Sequence, residues 1–156
     1  MVEEKCDSTQ DTLNHIRRVQ ELLNEYSAQI VERGEVHDAS KLENPEKEIF
    51  DRYTPLLRNT TFGTPEYEEF RAEMESALAH HYAQNRHHPE HFKDKGVAGM
   101  DLLDLTEMFF DWKAASERHN DGNIYRSIKQ SSERFHLPEV LTSILINTAR
   151  NQGWEK

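Results

Sequence analysis

The chain has 156 residues with 19 basic and 29 acidic side chains, which give a formal net charge of −10. Its length suffices for one domain with a hydrophobic core, and its negative charge argues against a nucleic-acid backbone as a partner. No apolar run approaches the about 18 residues of a membrane-spanning helix, and the single cysteine, Cys6, excludes an internal disulfide. We therefore expect a soluble, cytoplasmic protein, in the host cytoplasm if a phage encodes it.

The spacing of apolar residues predicts an all-α protein, because they recur at intervals of three and four and β-branched residues do not alternate with polar ones. Residues 1–8 form the predicted flexible tail. A first helix begins at Ser8 or Thr9, either of which can cap it, and closes near Gly34. A short helix over residues 36–42 follows. The apolar stripe of the first helix consists of Leu13, Ile16, Val19, Leu22, Leu23, Tyr26 and Ile30.

Proline positions predict the next boundaries. Asn44 and Pro45 are typical of an N-cap and a first helical position, and Pro55 interrupts the helix that they start. The Thr-Pro-Glu sequence at residues 64–66 begins another helix, which runs into a group of histidines where Pro89 disfavours further helix.

The rest of the chain is predicted as a loop followed by three helices. The loop covers residues 92–99, and the helices cover about residues 100–119, 124–135 and 138–151, with a turn at 121–122. The predicted fold is a single-domain helical bundle of about six to seven helices over residues 9–152.

The string His-Asp-Ala-Ser-Lys at residues 37–41 is the most informative motif of the chain. It places two adjacent metal-ligating side chains, His37 and Asp38, one helical turn from a cation, Lys41. A divalent metal takes neutral imidazole and carboxylate ligands, and a lysine beside it can offset the charge of a phosphate. The motif therefore predicts a metal site that handles phosphate, although a His-Asp pair alone is common in a chain this rich in both residues.

Further candidate ligands lie on both sides of this motif. His15 lies beside the stripe of the first helix, where an ordinary half-buried histidine is the alternative interpretation. Five histidines downstream can hold a metal or form a surface patch. The acids of the 100–119 helix are candidates too, although such acids usually form a solvated face. The two downstream sets are His80, His81, His87, His88 and His91, and Asp101, Asp104, Glu107 and Asp111.

Helical spacing divides the histidine cluster into faces. On a continuous helix, His81 and His88 share one face, and His80 and His87 share the neighbouring face. We therefore expect only part of the cluster to point inward, with His81 in the inward set and His80 close to it.

The order of these residues resembles that of the HD-domain superfamily of metal-dependent phosphohydrolases, whose pattern is an early His, a His-Asp pair often followed by Lys, and a late Asp on a helical bundle. The string HHYAQNRHHPEHF at residues 80–92 further resembles a small uncharacterised HD-like family of bacterial and phage genomes, as do DLTEMFFDWKAASERH and RSIKQSSERF. The resemblance covers about residues 11–152. The matching residues are His15, His37 with Asp38, Lys41, and Asp104 in LLDLTEMFFDW.

This resemblance implies a hydrolase that cleaves a nucleotide or related small phosphate compound with a metal-activated water. It implies one or two divalent ions per chain, of Mn, Fe, Ni, Co, Zn or Mg. The implied metal ligands are His15, His37, Asp38 and Asp104, with Asp101 as the alternative to Asp104, and His80 and His81 for a second ion. The implied catalytic residues are Asp38, Lys41 and His81, and the implied phosphate contacts are Arg18, Lys41, His88, Lys113 and Arg118.

Two other classes of function remain open. A protein of the same architecture that binds iron at a two-metal site can be a di-iron oxygenase, because the fold does not determine the reaction. A protein that keeps the fold without catalysis, whether or not a phage encodes it, can bind a partner through its acidic surface. A homo-oligomer is compatible with each class.

Overall fold

A computed structural model describes residues 7–58, 60, 64–118 and 122–154 of the chain. Over these residues the backbone is helical and contains no β-strand, which confirms the predicted all-α class. The chain divides into two compact units, residues 1–35 and 36–156. None of the described helices is both long and apolar enough to span a membrane. Most of the predicted tail, including Cys6, and Asp121 of the predicted turn lie outside the described residues.

The N-terminal unit is formed by one long helix, α1 (Thr9–Val36). The helix begins where predicted and ends at Val36, close to the predicted end near Gly34, which lies inside the last turn. A glycine inside a helix costs only about 1 kcal/mol, and the backbone of Gly34 stays helical. Large apolar side chains of the predicted stripe, among them Leu13, Ile16 and Leu22, are exposed.

The second unit contains the other helices of the described chain. The last two helices confirm the predicted ranges, and the helix predicted over about residues 100–119 is shorter at both ends. In chain order, the elements of the second unit are a first 3₁₀ segment (Ala39–Leu42), α2 (Glu46–Arg58), α3 (Pro65–Glu73), α4 (Glu75–Gln84), a second 3₁₀ segment (Pro89–Gly99), α5 (Leu102–Ser116), α6 (Ile124–Phe135) and α7 (Glu139–Asn151).

Three predicted boundaries in this unit are wrong. Pro55 lies inside α2, which continues beyond it although the ring nitrogen cannot donate a helical hydrogen bond. The helix predicted to run into the histidines is divided at Met74 into α3 and α4. Residues 92–99 belong to the second 3₁₀ segment, which is interrupted by positive φ at Lys93 and Gly96. Single 3₁₀ turns have no sustained apolar period, so sequence periodicity does not reveal them.

The hydrophobic core of the second unit is formed by α5, α6 and α7. Burial of one large apolar side chain stabilises a fold by about 1.5–3 kcal/mol, so this core holds α5, and the acids that it carries, in place. The buried core residues are Phe109, Ile124, Ile128, Leu145 and Ala149.

A second packing contact joins α2 to α4. Tyr53 of α2, Met74 and Ala77 are buried, and the Tyr53 hydroxyl donates a hydrogen bond to Glu73. This packing places Glu46, the first residue of α2, against the histidines of α4.

Candidate metal centre

Three segments of the second unit bring four side chains together. The turn after α1 supplies Asp38, α4 supplies His81, and the turn after α4 supplies His87 and His88. Asp38 has a left-handed backbone with φ of 56°, a conformation that is uncommon for residues other than glycine and is found often at functional sites. His81 and His87 are buried.

One potential ligand atom of each of these four residues lies within 4.8 Å of the other three. Nε2 of His81 is 3.3 Å from Oδ1 of Asp38, and Nε2 of His87 is 3.4 Å from the same oxygen. Nε2 of His81 is also 2.9 Å from Nε2 of His88. Three imidazole nitrogens and one carboxylate oxygen therefore converge, as the ligands of a first-row divalent metal do.

Two of these atoms, Oδ1 of Asp38 and Nε2 of His87, are buried and have no hydrogen-bond partner within the described structure. Leaving a buried polar atom unsatisfied costs about 1–3 kcal/mol. Folded proteins keep few such atoms, and those that persist often mark a function or an ion. A cation between the two would satisfy both, so the donor set fits a metal ion.

The charges around this group favour an ionised Asp38 and a neutral His88. Burial raises the pKa of Asp38, but contacts to His81, His87 and the Lys41 ammonium outweigh burial and hold that pKa well below its usual range. Burial and the neighbouring rings of His87 and His81 lower the pKa of His88 to about 3. A carboxylate and a neutral imidazole are the protonation states in which these side chains bind a metal.

Two glutamates contact the outer nitrogens of the imidazoles. Oε1 of Glu107 lies 3.0 Å from Nδ1 of His87 and 2.9 Å from Nδ1 of His37. Oε2 of Glu46 lies 2.9 Å from Nδ1 of His81. A carboxylate on the outer nitrogen of a metal-binding imidazole fixes the orientation of the ring, and both glutamates are placed to do so.

His37 belongs to a second, neighbouring group with His87 and Asp111. Its Nε2 is 3.6 Å from Oδ1 of Asp111 and 3.7 Å from Oδ2 of Asp38. Hydrogen bonds to Asp111 and Glu107 raise the pKa of His37 to about 10, so its ring is protonated at neutral pH in this arrangement. A metal at this second position would displace that proton.

Lys41 contacts the first group through Asp38. Its Nζ is 2.6 Å from Oδ2 of Asp38. The ammonium offsets the charge of the carboxylate whose other oxygen faces the histidines. The role predicted for Lys41 as a phosphate contact stays a prediction.

Asp104, the predicted last metal ligand, has a different partner in the structure. It is buried, and its carboxylate accepts hydrogen bonds of 3.1 and 2.9 Å from Arg86. It also forms a capping box with Asp101 at the start of α5, and neither of these two acids is a member of either group. Glu107 and Asp111, on the same helix, contact the histidines.

Three other predicted site residues of the second unit do not belong to either group of potential metal ligands. His80 is about two-fifths exposed, and its Nδ1 lies 2.7 Å from Oε1 of Glu46. Lys113 forms an ion pair of 2.8 Å with Glu117, and Arg118 is exposed.

Two predicted site residues belong to α1 in the N-terminal unit. His15 is exposed, and Arg18 forms an ion pair of 2.9 Å with Glu21 on the same helix. A metal-binding role for His15 and a phosphate-binding role for Arg18 stay predictions.

Replacing Asp104 by asparagine is expected to lower stability without changing metal binding. The substitution removes the charge of a buried carboxylate that accepts hydrogen bonds from Arg86, so we expect a loss of about 1–3 kcal/mol in the free energy of unfolding. Chemical denaturation and elemental analysis of the same preparation measure both quantities. Loss of the metal from a folded Asp104→Asn variant would instead favour the ligand set that the sequence implied.

A protein-family model matches residues 4–151 of the chain, which therefore belongs to DUF5662, a family of unknown function. No curated protein and no solved structure matches it. The family description assigns no activity, so any proposal of function depends on the site and on the sequence motifs.

Proposed function

We propose that this member of the DUF5662 family is a metal-dependent phosphohydrolase whose metal is held by Asp38, His81, His87 and His88. The observation that carries the proposal is the pair of buried, unsatisfied atoms, Oδ1 of Asp38 and Nε2 of His87, which lie 3.4 Å apart. With Glu107 at Nδ1, neutral His87 has its lone pair at Nε2, and this lone pair and Oδ1 of Asp38 repel each other unless a cation or a proton lies between them. Burial lowers the pKa of His87, but contacts to Asp38 and Glu107 outweigh burial and raise it, so a proton competes with the metal for this position.

The donor set also restricts the choice of metal. Imidazole-rich sites suit Zn, Fe, Co or Ni, whereas Mg prefers six oxygen ligands. Four protein ligands complete a tetrahedral zinc site, whereas an ion that takes five or six ligands keeps a position open. In such a position a divalent ion lowers the pKa of a bound water and polarises a phosphoryl oxygen. We therefore assign Fe, Co or Ni to the active protein.

Two cations of the chain lie beside the metal group. Nζ of Lys41 is 2.6 Å from Oδ2 of Asp38, and the protonated ring of His37 has its Nε2 3.7 Å from the same oxygen. Both side chains are partly exposed. In the proposed reaction they contact the phosphate and offset its charge. The phosphate class of the substrate is supported by the HD-like order of the sequence motifs.

The proposal predicts metal-dependent release of phosphate. The metal-stripped chain is reloaded with Mn, Fe(II), Co, Ni or Zn and assayed against nucleotides and simple phosphate mono- and diesters. We expect turnover with an ion that keeps an open position, little with Zn, and loss of turnover in His88→Ala. His136→Asn, a change at an exposed histidine that ends α6, serves as the matched control. A metal-loaded chain that hydrolyses none of these compounds contradicts the proposal.

One observation favours a second candidate, a di-iron oxygenase. The group of His37, His87 and Asp111 adjoins the first group, so His37 and Asp111 would hold a second ion beside the one that His87 ligates. Oxygen consumption by the iron-loaded chain in the presence of a reductant tests this candidate. Metal binding without hydrolysis or oxygen consumption would support the non-catalytic class.

A further inference from the structure

Glu46 connects the metal group to the rest of the second unit. It is completely buried at the start of α2. Its Oε2 accepts a hydrogen bond of 3.0 Å from the Ser40 hydroxyl and lies 2.9 Å from Nδ1 of His81. Its Oε1 lies 2.7 Å from Nδ1 of His80. Both oxygens are therefore held, and the carboxylate cannot rotate without breaking contacts.

Hydrogen-bond counting determines which nitrogen of His81 carries a proton. The amide nitrogen of Asn85 lies 3.0 Å from Nδ1 of His81, but its two hydrogens are donated to the Ser40 hydroxyl and to the His81 carbonyl, each at 2.8 Å. An amide group has only these two hydrogens. The Ser40 hydroxyl lies 3.4 Å from the same Nδ1, but its single hydrogen is donated to Oε2 of Glu46. Nδ1 of His81 therefore has no donor among these groups and must itself donate, and the carboxylate of Glu46 is the acceptor beside it.

Protonation at Nδ1 leaves Nε2 of a neutral His81 with a lone pair. This atom is the one that lies 3.3 Å from Oδ1 of Asp38 and 2.9 Å from Nε2 of His88. A lone pair that faces the carboxylate oxygen of Asp38 is unfavourable until a cation binds between them.

From this geometry we infer that Glu46 is the positioning residue of the metal centre, because it holds His81 with Nδ1 protonated and Nε2 directed at the metal. The inference rests on the metal role proposed above. His80, on the other carboxylate oxygen, then holds Glu46 in place rather than acting as the metal ligand that the family resemblance implied.

Replacing Glu46 by glutamine tests the inference, because glutamine keeps the volume but removes the charge that fixes the imidazole. We expect the full chain to bind Co²⁺ about 10- to 100-fold more weakly, the usual effect of losing an outer carboxylate, and to show an altered visible absorption spectrum of the bound Co²⁺. Glu48→Gln, the same change at an exposed position of α2, is expected to leave both properties unchanged.

Wild-type affinity and an unaltered spectrum in a folded Glu46→Gln variant would overturn the inference. If that variant does not fold, two-bond nitrogen–proton spectra of the histidine-labelled wild-type chain loaded with Zn²⁺ decide instead. They are expected to show His81 protonated at Nδ1 and metal-bound at Nε2, and the opposite assignment would refute a role for Glu46. Failure of the wild-type chain to bind Co²⁺ or Zn²⁺ would refute the proposed metal centre itself.

Discussion

Replacing His87 by alanine is expected to abolish tight metal binding. His87 supplies one of the two buried, unsatisfied atoms, and it is shared by both groups of potential ligands. Loss of an outer carboxylate costs up to about 100-fold in metal affinity, so loss of a direct ligand is expected to cost more than that. Titration with Co²⁺ and elemental analysis of the purified variant measure the effect.

Two further variants make this result interpretable. His136→Asn changes a histidine at the exposed end of α6 and is expected to bind metal like the wild type. His88→Gln removes another ligand of the first group and is expected to reproduce the loss of metal binding. This result would show that the loss in His87→Ala does not come from a packing defect at the buried His87. A folded His87→Ala variant with wild-type affinity would show that the first group is not the metal centre.

Metal binding is expected to raise the melting temperature of the metal-stripped chain by about 5–10 °C. A ligand at 100 times its dissociation constant stabilises a fold by about 2.7 kcal/mol, and each kcal/mol shifts the midpoint by about 2–4 °C for a chain of this size. The metal also satisfies Oδ1 of Asp38 and Nε2 of His87, which have no hydrogen-bond partner without it.

Magnesium provides the matched control for this measurement. It has the same charge as Mn²⁺ or Co²⁺ but binds imidazole poorly, so it is expected to leave the midpoint nearly unchanged. Equal stabilisation by Mg²⁺ and Co²⁺ would indicate general screening of the acidic chain rather than binding at the histidines.

Helix boundaries were predictable where local chemistry determines them. The side chain of Thr64 caps α3 by accepting a hydrogen bond from the Tyr67 backbone, and Pro65 opens the helix, as the sequence indicated. Gly34 and Pro55 do not end their helices. A single unfavourable residue costs about 1–3 kcal/mol, which the helical residues on both sides can offset.

The metal centre was predictable in part. Sequence motifs pointed to Asp38 and His81, and the structure places both in the first group. Helical spacing places His87 on the face of His80, which is wrong because α4 ends at Gln84, before His87. Asn85 leaves the helix with extended backbone, and this change of direction brings His87 and His88 back towards His81.

The choice among the acids of α5 could not be made from spacing. Asp104, Glu107 and Asp111 are three and four residues apart and share one helical face, so spacing identifies the face and not the residue. The deciding contact is the ion pair between Asp104 and Arg86, whose side chain comes from another segment. The basic partner of each acid can therefore be identified only from the three-dimensional structure.

The most direct test of the metal centre is an anomalous difference map from crystals of the Co²⁺-loaded chain, with data collected on both sides of the cobalt absorption edge. We predict a peak at about 2.0–2.2 Å from Oδ1 of Asp38 and from the Nε2 atoms of His81, His87 and His88. A map without a peak at these four atoms, or with its main peak bound by Asp104, would contradict the assignment of the metal to this group.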